Sequence, residues 1–228
     1  VAVSMGAQYF DPSGKPAVID DGFKAMTETL IGWHAEGLMP EDVWPSTPGY
    51  GWKNGADMFM DGDAVLHISG SWMIQRYAAE IGENFEWLAI PQPCGPAGCS
   101  GMPGGAAMVG FSATEHPEQV AMILDYMASE TVAREYYERT LQIPAHAGLA
   151  EAGLNYGDDI GMAATNALKT FTENFDQILP PAHALQASPM NFAIFDASVS
   201  HISATIAGKI TPDEAYANIE RDIAAASH

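Results

Sequence analysis

Positive charge is scarce in this 228-residue chain: nine Lys and Arg stand against 29 Asp and Glu, a formal net charge of −20. Such a surface repels phosphate backbones and anionic headgroups, which argues against nucleic acid and membrane-surface partners; the excess acid reads as a solvated shell. No run of 18 or more apolar residues occurs, so no helix is expected to insert in a bilayer. Val1-Ala-Val-Ser-Met-Gly6 also lacks the charged start and apolar run of a signal peptide, so the chain reads as mature, trimmed or a fragment. Cysteine is nearly absent. Cys94 and Cys99 are too few for a structural zinc site, but their C-x4-C spacing in a Gly/Pro loop lets the sulfurs meet. A small-loop disulfide is expected, and with it an oxidising compartment such as the periplasm, two free thiols being the alternative.

Catalytic signatures are missing as well. Gly110-Phe-Ser-Ala-Thr114 lacks the second glycine of a nucleophile elbow, no H-E-x-x-H is present, and the seven histidines are scattered. The Gly95 to Gly105 loop ends in neither G-K-S/T nor G-x-G-x-x-G, which disfavours nucleotide binding. No metal or other cofactor is expected. A pair of carboxylates suited to glycosidase chemistry can always be nominated among 29 acids, so the nomination carries little weight.

What is there is enough apolar residue, 47%, for a sizeable core, arranged as α/β alternation. Tyr9 to Ile19 reads as a hairpin around Pro12-Ser-Gly14; the oxygen ligands of a calcium loop are absent beyond Ser13. Asp20 or Asp21 caps a helix with Phe23, Met26, Leu30 and Trp33 on one face, ended by Gly37 and Pro40, which makes Trp33 a core residue. After a loop marked by Pro45, Pro48, Gly49 and Gly51 come a short helix at 55–60, a buried strand at 64–68, a helix at 71–81 and a strand at 85–90. Pro91 to Gly105 reads as a lobe boundary before another strand, 106–111. The remainder is helical: a segment starting at His116-Pro-Glu with Val120, Ile123, Leu124 and Met127 on one face, a second from Ser129 through Tyr137, then 158–172, 191–207 and 211–225. The 191–207 helix carries a Phe192, Phe195, Val199, Ile202, Ile206 stripe.

The most informative stretch is Trp52 to Trp72, W-K-N-G-A-D-M-F-M-D-G-D-A-V-L-H-I-S-G-S-W. It couples a short amphipathic segment, an apolar strand and a tryptophan-bearing turn. With Gly6-Ala-Gln-Tyr-Phe-Asp11, Gly14-Lys15, Trp33-His-x-x-Gly37, Met102-Pro-Gly-Gly105, Ile143-Pro-Ala-His146 and Gly208-Lys-Ile-Thr-Pro-Asp-Glu-Ala215, it resembles the solute-binding proteins of bacterial ABC sugar importers, of which the maltose-binding protein is the familiar example. The order of these motifs matches the second half of such a protein.

That resemblance implies a periplasmic-binding-protein type II-like architecture of two α/β lobes that close on a ligand by a hinge motion. Residues 1–105 and 147–228 would form the C-terminal lobe, 106–146 would cross into the N-terminal lobe, and most of the latter would be absent. Trp72 matches the family's stacking tryptophan in G-S/P-W, and Gly104 and Gly105 match glycines whose backbone approaches the ligand. Sugars present C–H faces to aromatic rings and hydroxyls to planar polar groups and backbone amides, which suits a tryptophan at a strand-to-helix turn. Phe195 and Asp196 fall near a late-helix ligand position, although packing competes with stacking for Phe195 because it lies on its helix's apolar stripe. Met102, Arg76 and His146 are further candidates around the cleft. The implied function is capture of a mono- or oligosaccharide in the periplasm and its delivery to an ABC permease. The competing reading is a secreted glycoside hydrolase.

Overall fold

The computed structural model describes residues 1–45 and 54–227. The expected loop around Pro48, Gly49 and Gly51, and Trp52 at the head of the signature stretch, lie outside the described residues. In chain order the helices are α1 (Ala2–Met5), α2 (Asp21–Ala35), α3 (Asn54–Met60), α4 (Ile74–Ile81), α5 (Pro117–Ala128), α6 (Glu130–Thr140), α7 (Ala147–Ala152), α8 (Gly161–Glu173), α9 (Pro180–Ala187), α10 (Asn191–Ile206) and α11 (Pro212–Ala226).

Two compact units are built from them: a first of residues 1–67, 92–103 and 175–228, and a second of 68–91 and 104–174. Residues 106–146, expected to cross into another lobe, all fall in the second unit, together with 68–91 and 147–174.

The first unit is held by α1, α2 and α9 to α11. Asp20 accepts the Phe23 N–H at 2.8 Å and starts α2, whose Phe23, Met26 and Leu30 are buried as their three- and four-residue spacing requires. Gly22 is obligatory there, because a Cβ would collide with the backbone of Ala7. Trp33 packs half-buried against the same core. The α10 and α11 faces meet over Ile194, Ile202, Ile219 and Ile223, and the Tyr216 ring meets Phe23 edge-on at 6.5 Å. A His201–Asp222 contact of 2.7 Å ties the two helices at their margin, and the bond holds the Asp222 carboxyl below its ordinary range.

The second unit has a smaller core of Ile74, Leu141, Ala164, Ala167 and Leu168. Trp87 meets Tyr77 edge-on at 5.6 Å, and burial pushes the Tyr77 hydroxyl up to about 12, against the lowering effect of a Ser69 hydrogen bond and the Arg76 charge. Helix α5 begins with Pro at its first turn, as expected, but buries no residue: Val120, Leu124 and Met127 are half-covered and Ile123 is exposed.

The three expected strands do not form ladders among the described residues. Among the described residues the only ladder contacts are two isolated bridges, Phe10 with Pro16 and Gly95 with Gly98. The first is the expected hairpin in miniature, with Ala17 N–H donating to the Tyr9 carbonyl at 2.7 Å and Gly14 at φ +82°. Segments 64–68, 85–90 and 106–111 instead run without helix or ladder. Along 85–90 exposure alternates residue by residue, Phe85, Trp87 and Ala89 inward and Leu88 and Ile90 outward, which is the period of a strand. Its Ala89 N–H and carbonyl are taken by the Asn166 and Thr170 side chains of α8 rather than by a neighbouring strand. The sequence carries the strand pattern; the described residues supply no partner. The α/β expectation is met here only by helices and unpaired extended segments.

Candidate functional site

Trp72 sits in a single 3₁₀ turn, Ser71–Met73, that leads directly into α4, with Gly70 extended in front of it. The residue is 66% exposed. Its ring folds back over Gly70 so closely that a Cβ at that position would collide with the six-membered ring. The glycine of G-S-W is thus a seat for the tryptophan rather than a flexible joint. Gly104 comes alongside: a Cβ there would stand 3.7 Å from the Trp72 Cζ3 atom, while nothing lies within 4 Å of one at Gly105. The second unit therefore brings together Trp72 and Gly104, two of the residues the sequence singled out. An exposed aromatic face beside bare backbone suits an apolar ring face on one side and a hydroxyl on the other.

The other candidates in this unit have structural partners. Arg76, one turn along α4, pairs with Glu80 at 2.7 Å. His146 caps α7, its Nδ1 accepting the Leu149 N–H at 3.3 Å. In the first unit Met102 is half-exposed, two residues beyond the buried Ser100.

Phe195 departs from the apolar-stripe expectation. Helix α10 buries Ile194, Ala197, Ile202 and Ser203, a face turned from the expected one, so Phe195 is 62% exposed and Phe192, one turn earlier, 78%. Asp196 is exposed beside them. Core packing no longer accounts for Phe195. Sequence reasoning missed Gly70, which the order glycine, serine, tryptophan could have flagged, and Phe192, hidden by the same stripe.

The Cys94–Cys99 disulfide is formed, as expected. No group of three or more His, Cys, Asp or Glu side chains converges on a metal-sized site among the described residues. A shallow, open depression of about 480 Å³ lies along α8, lined by Tyr156, Ile160, Leu168 and Thr172 among others; none of the candidate residues lines it. No helix among the described residues is long and apolar enough to cross a membrane.

Comparisons with known proteins bear on the family and the fold. Maltodextrin-binding protein MdxE of Bacillus subtilis (strain 168) is 27% identical over 117 residues, covering 50% of this chain and 27% of that protein. A crystal structure from Synechococcus sp. MITs9220, described as an oligosaccharide periplasmic-binding protein, superposes with a TM-score of 0.62 at 13% identity over 97% of this chain. The same protein in complex with zinc gives 0.67 at 14% identity. At those identities the likeness establishes the fold alone. The chain spans about a quarter of the maltodextrin-binding protein's length and 55% of each Synechococcus chain. The matching family model is that of the bacterial extracellular solute-binding proteins, which are binding proteins and not enzymes, and it covers residues 2–192. This chain belongs to the bacterial extracellular solute-binding protein family.

Proposed function

We propose that this chain is part of the substrate-binding subunit of an ABC importer, capturing a mono- or oligosaccharide in the periplasm and delivering it to a membrane permease. The observation that carries the reading is the exposed Trp72 ring, seated on Gly70 with the Gly104 backbone beside it. Trp72 stacks on a sugar ring, and the bare Gly104 and Gly105 let a hydroxyl approach the main chain. Phe195, Asp196 and Met102 are proposed as further ligand-contact residues. Arg76 and His146 rank below these because Glu80 and the Leu149 amide engage them. The relatives support a carbohydrate ligand: one is a maltodextrin-binding protein and the structural neighbours are described as oligosaccharide-binding.

The complete protein is proposed to hold two lobes that close on the ligand, with strands at 64–68, 85–90 and 106–111 paired in sheets to which further polypeptide contributes. Apolar residues on those segments, such as Val65 at 90% and Phe111 at 78% exposure, favour this. Titration calorimetry of the intact protein with malto-oligosaccharides, monosaccharides and polyols tests the ligand class. Uptake of at least one, with a change in tryptophan fluorescence, is expected; no uptake across the panel ends the carbohydrate reading.

A further inference from the structure

The Cys94–Cys99 loop does more than close on itself. Ala97 N–H donates to the Ser4 carbonyl at 3.0 Å, and Gly95 passes so close to that carbonyl that a side chain there would collide with it. Ser100 N–H donates to the Ser4 hydroxyl at 3.2 Å, and the Ser100 hydroxyl accepts the Leu179 N–H at 3.0 Å. Both serines are buried, Ser4 to 3% and Ser100 to 4% exposure. The disulfide loop and the Ser100 that follows it thereby fasten α1 to the residue preceding α9. Helix α1 has four residues and no side-chain cap, so it cannot persist by its own propensity. The loop itself is Gly-Pro-Ala-Gly between its cysteines, a segment with wide freedom unless its ends are joined.

We propose that the Cys94–Cys99 disulfide is a redox-sensitive brace that positions the Ser100 to Met102 segment and, through it, ligand affinity. The second clause rests on the solute-binding reading; the first does not. A dithiol reductant donates two electrons and two protons, the S–S bond breaks to give two thiols, and the reductant leaves as its own disulfide. The freed loop then loses its fixed approach to Ser4, the Ser4 and Ser100 hydrogen bonds open together, and the path of the chain at Met102 is no longer held.

Amide hydrogen exchange on the intact protein, oxidised and after dithiothreitol, tests the brace. Reduction is expected to speed exchange at Ala97, Ser100 and Leu179 by about tenfold or more, with Ile219 in the first unit's core unchanged. Unchanged exchange at the three amides overturns the brace; so does equal acceleration at Ile219, which would make the bridge a global staple. A Gly95→Ala variant, which keeps the bridge but spoils its approach to Ser4, reproduces the local acceleration if the brace works as described. Titration with maltotriose in both redox states reads the second clause: dissociation constants rising severalfold on reduction support it, and equal constants overturn it. Absence of maltotriose binding by the oxidised protein removes the link to affinity and leaves the exchange result to decide the brace.

Discussion

At the residue scale the site turns on one ring and its seat. Trp72 is mostly exposed, so replacing it removes little buried surface and leaves stability within about 0.5 kcal/mol. Its loss as a stacking platform is a different matter. Trp72→Ala is expected to weaken sugar binding by about 2 kcal/mol or more, roughly 30-fold, by calorimetry, with the melting temperature unchanged. Retained affinity would remove Trp72 from the site. Gly70→Ala separates placement from presence. The added methyl collides with the ring, so the ring leaves its seat while remaining in the protein. A shifted tryptophan emission and about tenfold weaker binding are expected, and an unaltered spectrum would show that the seat does not matter. Of this arrangement, the tryptophan at the turn into a helix is legible in the sequence, and Gly104 is legible through the family pattern. The reason for Gly70 was not, because a glycine's role in a close approach shows only once the neighbouring ring has coordinates.

At the scale of elements, legibility followed capping chemistry. Helices that announce their ends were readable: α2 behind Asp20, α5 with its leading proline, and α11 behind Thr211-Pro-Asp-Glu214, where the reciprocal capping box is formed. Helix α9 was hidden by Pro180-Pro181, which punctuates like a loop although proline is tolerated in a first turn. The α10 face was misjudged because its apolar residues nearly encircle the helix, so two phases of the same period satisfy the pattern. Extended segments were readable as extended, but pairing is a property of two segments and is not written in one. The α11 cap offers a test with a pH signature. Both the Thr211 N–H and hydroxyl donate to Glu214, at 2.8 and 2.9 Å, and hold its carboxyl below the ordinary 4.5. A folded-state pKa below the unfolded value gives stability that is present above about pH 4.5 and is lost as pH falls through the folded value. Thr211→Ala is therefore expected to cost about 1 kcal/mol in urea unfolding at neutral pH, and less below pH 4.5 as Glu214 protonates. A cost that stays flat with pH would mean that the hydroxyl caps the helix without help from the carboxylate.

For the whole molecule the governing fact is apolar surface that its own unit does not cover. In the second unit Leu88, Ile90, Met108, Val109 and Phe111 lie on unpaired extended segments, each more than half exposed, and α5 adds Met122, Ile123 and Tyr126 at 60 to 70%. Single exposed apolar residues are ordinary; eight of them in one small unit are candidates for contact with a partner. Among the described residues these segments form no ladder, and although α8 engages Ala89 and the Thr114 N–H engages the Phe111 carbonyl, an extended edge of this kind is one that a further strand can join. If further polypeptide of a two-lobed protein normally supplies that strand, a protein made of residues 1–228 alone has unsatisfied edges, and other copies of itself are the nearest source of partners. The expected outcome is concentration-dependent association in sedimentation velocity, with binding of a hydrophobic dye. Placing a charge on an outward position, Val109→Lys, should shift the population toward monomer without unfolding α8, because Val109 is already 64% exposed and leaves no core site empty. A clean monomer that binds no dye would mean that the extended segments need no partner, and the proposed completion of the sheet by further polypeptide would fall with it.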